Sequence, residues 1–188
     1  MPSGLPFAPH VVMDLLSLLD RCIALETGAS EVYGLLAERF ADDGELEELW
    51  RSMATDERRH AHKLATWRAL VAAEHPDHRA STSGFADAVT ALEGFVAHAR
   101  AEARRCTTAD AAFALALALE TSELDAIYTQ LLQSSPIARF PDLAETVRSE
   151  TAGHHAALLR IVQARSRDDG NLLRAALLAT HGDDGVIE

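Results

Sequence analysis

An all-α chain is predicted by three observations: its composition, the spacing of its apolar residues, and the turn signals that close each periodic run. Ala and Leu dominate a sequence that is 48% hydrophobic but only 5% aromatic, a balance that favours helix over sheet. Apolar residues recur at steps of three and four over runs too long for strands. The predicted architecture is a four-helix bundle with a long helical crossover between its second and third helices and a short helix near the C-terminal end. At 188 residues one domain can bury a sizeable core without disulfides.

The first predicted helix runs from about Val11 to about Ala41, after a lead over residues 1–10 that carries Pro2, Gly4, Pro6 and Pro9. Its inward stripe is Leu15, Leu19, Cys22, Glu26, Ala29, Tyr33, Leu36 and Phe40, in which a single carboxylate interrupts an apolar face. Asp42, Asp43 and Gly44 mark a turn. The second helix then runs from about Glu45 to about Glu74, where Pro76 prevents continuation. Its stripe is Leu46, Trp50, Met53, Glu57, His60, Leu64, Trp67 and Val71, with Glu45, Glu47 and Glu48 in the first turn to suit the helix dipole.

After a polar break, Phe85 to about Arg105 reads as the crossover helix, with no obvious chemistry on its faces. The third bundle helix starts near Thr107 or Thr108 and runs to about Gln133, with the stripe Phe113, Leu117, Glu120, Glu123, Ile127 and Leu131. The fourth spans about Pro141 to Ser166 with the stripe Leu143, Val147, Glu150, His154, Leu158 and Ile161. A short apolar helix from about Asn171 to Thr180 follows, so that residues 11–181 form a single domain and residues 182–188 a loose tail.

Composition also excludes partners. A formal charge of −12, from 29 acidic and 17 basic residues, repels a phosphate backbone, so nucleic acid is not expected. The lead has no basic segment, and Asp14 and Asp20 interrupt the apolar run that follows it. Neither a signal peptide nor a membrane span is expected, and a cytoplasmic setting follows. Cys22 and Cys106 stand far apart with no C-x-x-C pair in the sequence, which argues against a zinc ribbon or rubredoxin-type iron site and for two core thiols.

The polar residues on the inward stripes carry the chemistry. In an antiparallel hairpin, residues equidistant from the turn sit at one height, and the midpoint of Glu26 and Glu57 falls between residues 41 and 42, next to the Asp42 to Gly44 turn. Glu120 or Glu123 and Glu150 bear the same relation to the loop containing Pro136. Glu57 and His60, three apart, share a helix face. The inward set is therefore Glu26, Glu57, His60, Glu120, Glu123, Glu150 and His154, the carboxylate and imidazole pattern by which a bundle core holds two iron or manganese ions. Without cations these carboxylates would repel one another in a low dielectric. Tyr33 and Tyr128 lie within reach as core aromatics with bonded hydroxyls or as redox participants. His62, His75, His78, His98, His155 and His181 are expected at the surface, as are Arg58 and Arg59.

Residues about 11 to 165 resemble the ferritin-like superfamily and, within it, the rubrerythrins. The resemblance is carried by Glu26-Thr-Gly-Ala-Ser-Glu-Val-Tyr33, Glu57-Arg-Arg-His60, and Glu120-Thr-Ser-Glu123 followed by Tyr128. It implies a ferritin-like bundle with a di-iron centre in which Glu57 and Glu150 bridge, Glu26 and Glu120 are terminal, His60 and His154 supply nitrogen, and Glu123 ligates according to redox state. The implied activity is reduction of hydrogen peroxide or dioxygen with electrons from a separate donor protein, in a homodimer or larger homo-oligomer. Three other functions stay open: a ferritin-type ferroxidase that stores iron, a hydroxylase, and a metal-poor remnant serving as an interaction module. The fourth helix departs from the family pattern, with Glu150-Thr-Ala-Gly-His154 where Glu-x-x-His is expected. Either Glu150 and His154 both ligate, helped by a π-bulge, or Thr151 takes the ligand position and the bridge is lost.

Overall fold

Asp14 opens the first helix. Its backbone is extended and its carboxylate accepts a hydrogen bond from the Ser17 amide at 2.8 Å, supplying a partner to one of the helix's orphan donors. The computed structural model describes the backbone of residues 14–74, 85–122 and 141–181, and the side chains of residues 14–74, 87–122 and 153–180. Within these limits six helices follow one another: α1 Leu15–Arg39, α2 Gly44–Glu74, α3 Phe85–Arg105, α4 Ala109–Glu120, α5 Pro141–Arg165 and α6 Asp169–His181. The predicted lead, the tail, and the segments holding Pro76 and Pro136 fall outside the described residues.

The hairpin of α1 and α2 turns at residues 40–43, where the Asp43 amide donates to the Phe40 carbonyl at 2.9 Å. Among the described residues it is the most extensive packing between two helices, and the pair buries Leu18, Leu19, Leu25, Val32, Leu36, Trp50, Met53 and Trp67, all 2% exposed or less. Each such aliphatic side chain contributes about 1.5–3 kcal/mol relative to remaining in water. Between the helices the buried Ser30 hydroxyl donates to the Ala54 carbonyl at 2.8 Å, so a polar group close to the helix centres is satisfied.

Helices α1, α2, α5 and α4 touch in a closed ring, each packing on the next and α4 on α1. This is the four-helix bundle that the periodicity predicts. The crossover helix α3 is more than a strap. It buries Val89, Leu92, Val96, Ala99 and Ala103 against the outer side of α1 and reaches α4, and ion pairs from Arg21 to Glu93 at 2.7 Å and from Arg100 to Glu31 flank the contact. Helix α6 closes the other side, on α4 and α5. There the Asn171 amide group donates to the Asp110 carbonyl at 2.8 Å and the Ser166 hydroxyl to the Asp110 carboxylate at 2.7 Å. Arg165, at the end of α5, grips Asp43 in the first turn through two hydrogen bonds of 2.6 and 2.8 Å.

Two boundaries differ from those read in the sequence. Helix α1 begins at Leu15 rather than Val11 because the extended Asp14 caps it. The other concerns α4, which starts at Ala109 behind the expected cap Thr108 but breaks after Glu120; the rest of its predicted span, from 123 to Gln133, lies outside the described residues. At its end the Thr121 hydroxyl bonds back to the Leu117 carbonyl at 2.7 Å, and the Ser122 amide reaches the Leu119 carbonyl. The Thr121 side chain thus offers the backbone a local alternative to helix propagation. No helix among the described residues is long and apolar enough to cross a membrane.

Candidate metal centre

On α1 and α2 each candidate ligand sits mid-helix on a stripe that is otherwise apolar, so helix geometry alone directs it to the bundle axis. On α1 the sequence Cys22, Leu25, Glu26, Ala29, Tyr33 and Leu36 is buried throughout, and Glu26 is 3% exposed. On α2 the buried run Trp50, Met53, Glu57, His60, Leu64 places Glu57 and His60 one turn apart, at 6% and 5% exposure. Helix α4 contributes Glu120 at its last residue, and α5 contributes His154 and His155.

These groups form two clusters. Glu26, Glu57 and His60 offer ligand atoms that all lie within 4.8 Å of one another, as do Glu120, His154 and His155. In the first, His60 Nδ1 lies 3.1 Å from Glu57 Oε2 and 4.0 Å from Glu26 Oε2. In the second, His154 Nε2 and His155 Nε2 each lie 2.8 Å from Glu120 Oε2. Glu57 links the two, since its other oxygen, Oε1, is 4.0 Å from His154 Nε2, and the His60 and His154 rings are 5.7 Å apart. A carboxylate presenting one oxygen to each cluster has the placement of a bridging ligand.

Tyr33 secures Glu120 from the far side. Its hydroxyl donates to Glu120 Oε1, and its ring stacks on Trp50 at 6.1 Å with the planes 6° apart, while Trp50 leans on Phe113 at 6.0 Å. Burial raises the Tyr33 pKa well above the ordinary phenol value, and the negative charges of Glu120 and Glu57 raise it further. The phenol therefore stays protonated as a donor. For Glu120, burial opposes ionisation, but the hydrogen bonds and positive charges of His154 and then His155 outweigh it and hold the carboxyl well below its usual range. Beneath the centre, burial and the nearby Glu26 push the Cys22 thiol up to about 12, so it is an inert core thiol. Cys106 is likewise free and buried.

Several residues named from the sequence meet here: Glu26, Glu57, His60, Glu120, His154 and Tyr33. Glu123 and Tyr128 lie outside the described residues, and at Glu150 and Thr151 only the helix backbone is described. One expectation is corrected. His155, expected at the surface, is 14% exposed at its side chain and turns its ring onto Glu120. The apolar stripe did not reveal it, because consecutive helix positions differ by about 100°. The available signal was the doublet His154-His155 beside a helix whose ligand spacing was already irregular.

The donor set suits metal ions. Buried carboxylates without cations are costly, while oxygen ligands with imidazole match iron or manganese. The family model described as rubrerythrin matches residues 17–102, which covers the Glu26, Glu57 and His60 cluster but stops short of Glu120, His154 and His155. Neither a curated protein nor a solved structure matches the chain. That match over residues 17–102, with an all-helical core lined by carboxylate and imidazole groups able to hold metal, is consistent with a ferritin-like, rubrerythrin-like protein.

Proposed function

We propose that this protein is a non-haem di-iron oxidoreductase that reduces hydrogen peroxide, with dioxygen as the alternative oxidant. The observation that carries this reading is Glu57, whose two oxygens face His60 and His154 at 3.1 and 4.0 Å and so join two ligand clusters into one centre. Glu26 and His60 hold one side, and Glu120 with His154 the other; Glu123 and Glu150 are proposed to complete the set. A bound ferrous pair supplies the two electrons that, with two protons, convert one peroxide to two waters, and a separate donor protein restores them. Manganese in place of iron fits the same ligands.

The chain's own groups do the rest. The closed helical ring excludes bulk water, and Glu57 fixes the two half-sites relative to each other. Tyr33 keeps its proton on Oη and, by occupying Glu120 Oε1, leaves Oε2 to face the imidazoles. We place the protein in the cytoplasm as a homodimer or larger homo-oligomer, and its two free thiols suit a reducing compartment.

The test is anaerobic loading with ferrous iron followed by mixing with peroxide or with dioxygen. Faster oxidation by peroxide, with one peroxide consumed per two ferrous ions, supports the reading; iron that binds but reacts only with dioxygen moves the assignment to a ferroxidase. Size-exclusion chromatography then separates a small oligomer from the closed cage that mineral storage needs.

A further inference from the structure

His155 is the feature of this centre that neither the helical stripe nor the matched segment accounts for. It sits next to His154 on α5, yet both rings bring Nε2 to the same oxygen, Glu120 Oε2, each at 2.8 Å. The rings are 4.9 Å apart and meet edge-on at 72°, so they approach that point from two directions. His155 reaches it from the flank of the bundle, with 14% of its side chain exposed.

Hydrogen bonding alone does not fit a ligating Glu120. A carboxylate oxygen has two lone-pair positions. If both imidazoles donated to Oε2 they would fill them, and Tyr33 takes one of the two on Oε1. Glu120 would then have no free lone pair on Oε2 for a cation. If the imidazoles instead turn their own lone pairs to a shared cation, the conflict disappears and all three atoms become donors. Their separations agree with this. Ligands about 2.1 Å from one metal stand about 3 Å apart along the edge of an octahedron, close to the observed 2.8 Å.

We propose that His155 is a third imidazole ligand, giving the centre two unequal halves: an oxygen-rich one of Glu26, Glu57 and His60, and a nitrogen-rich one of Glu120, His154 and His155. This rests on the reading of the site as a metal centre and adds a ligand to it. Two imidazoles with one carboxylate favour later divalent ions of the first transition row over manganese or iron, whereas two carboxylates with one imidazole discriminate less. The two ions are therefore taken up with different affinities, and the nitrogen-rich half fills first with cobalt or zinc. It also explains how α5 serves a metal although its His154 stands four positions from Glu150 rather than three.

The test loads the full chain anaerobically with cobalt(II), counts bound ions by elemental analysis, and records the proton spectrum, in which each ligated imidazole gives a strongly shifted N–H signal that disappears in deuterium oxide. Three such signals in the wild type, reduced to two in His155→Gln with at least tenfold weaker binding of one cobalt, support the proposal. The wild-type count is decisive even if the variant fails to fold, and His62→Gln, at an exposed position, serves as the unchanged control. Two signals from a wild type shown to carry two cobalt ions per chain overturn the ligand role of His155 while leaving the metal centre standing. A wild type that binds no cobalt, iron or manganese overturns the metal-centre reading and the proposal with it.

Discussion

Glu57 is the residue on which both halves of the centre converge, because one oxygen faces His60 and the other His154. Removing it takes a ligand from each half and leaves Glu26 and Glu120 without the shared cations that make their burial tolerable. Glu57→Ala is expected to lower bound iron from about two ions per chain to fewer than one, as measured by elemental analysis after anaerobic loading and gel filtration. Unchanged occupancy would remove Glu57 from the ligand set. At this scale the sequence was legible wherever a polar residue interrupted an apolar stripe, as Glu26, Glu57, His60 and His154 do. It was not legible at His155, which is off the stripe and is drawn inward only because Glu120 stands opposite it on another helix.

Among the elements, α3 shows how closely the bundle is assembled around the centre. A Cβ added at Gly28 on α1 would come within 2.6 Å of Val96 Cγ1 on α3, and valine's branched side chain has little freedom to turn away. Gly28→Ala gains about 1 kcal/mol in helix propensity, but overpacking costs about 1–3 kcal/mol. The variant is expected to lose up to about 2 kcal/mol as the balance of these terms, read as a lower urea midpoint at constant m-value. Adding Val96→Ala should recover part of that loss, since the same contact is relieved from the other side. A double-variant loss equal to the sum of the two single losses would show that the helices do not meet there. The spans of α2, α3 and α5 were readable from periodicity and proline positions, whereas α4 breaks at Thr121, whose hydroxyl turns back onto the Leu117 carbonyl.

For the whole molecule, carboxylates at the periphery and in the centre are held below their usual range in the folded state. For Glu93 the cause is the hydrogen bond from Arg21, for Asp110 that from Ser166, and for Glu120 the imidazoles that outweigh its burial. As pH falls below the ordinary carboxylate values of 3.8 and 4.5, the unfolded chain takes up protons before the folded one does. Their stabilising contribution is present in full above that range and is lost on further acidification. Urea midpoints of the apoprotein are expected to fall between about pH 5 and pH 3. Bound metal should leave over a similar or higher range, because protons compete for its carboxylate and imidazole ligands. At neutral pH, manganese at a hundredfold excess over its dissociation constant should stabilise the fold by about 2.7 kcal/mol per site, seen as a higher melting temperature. A melting temperature indifferent to manganese, iron and cobalt would contradict a built metal centre.

The sequence by itself determined that the chain is helical, where its long antiparallel hairpin turns, and which buried carboxylates and histidines need a common partner. These follow from local rules: helical period, turn residues and the cost of an unpaired buried charge. Tertiary structure decided what local rules cannot reach. It made α3 a packed member of the core beside Gly28, set the two oxygens of Glu57 toward different imidazoles, and brought His155 with His154 onto a single oxygen of Glu120. Each depends on side chains far apart in sequence meeting across helices, and periodicity within one helix does not encode the distance between two.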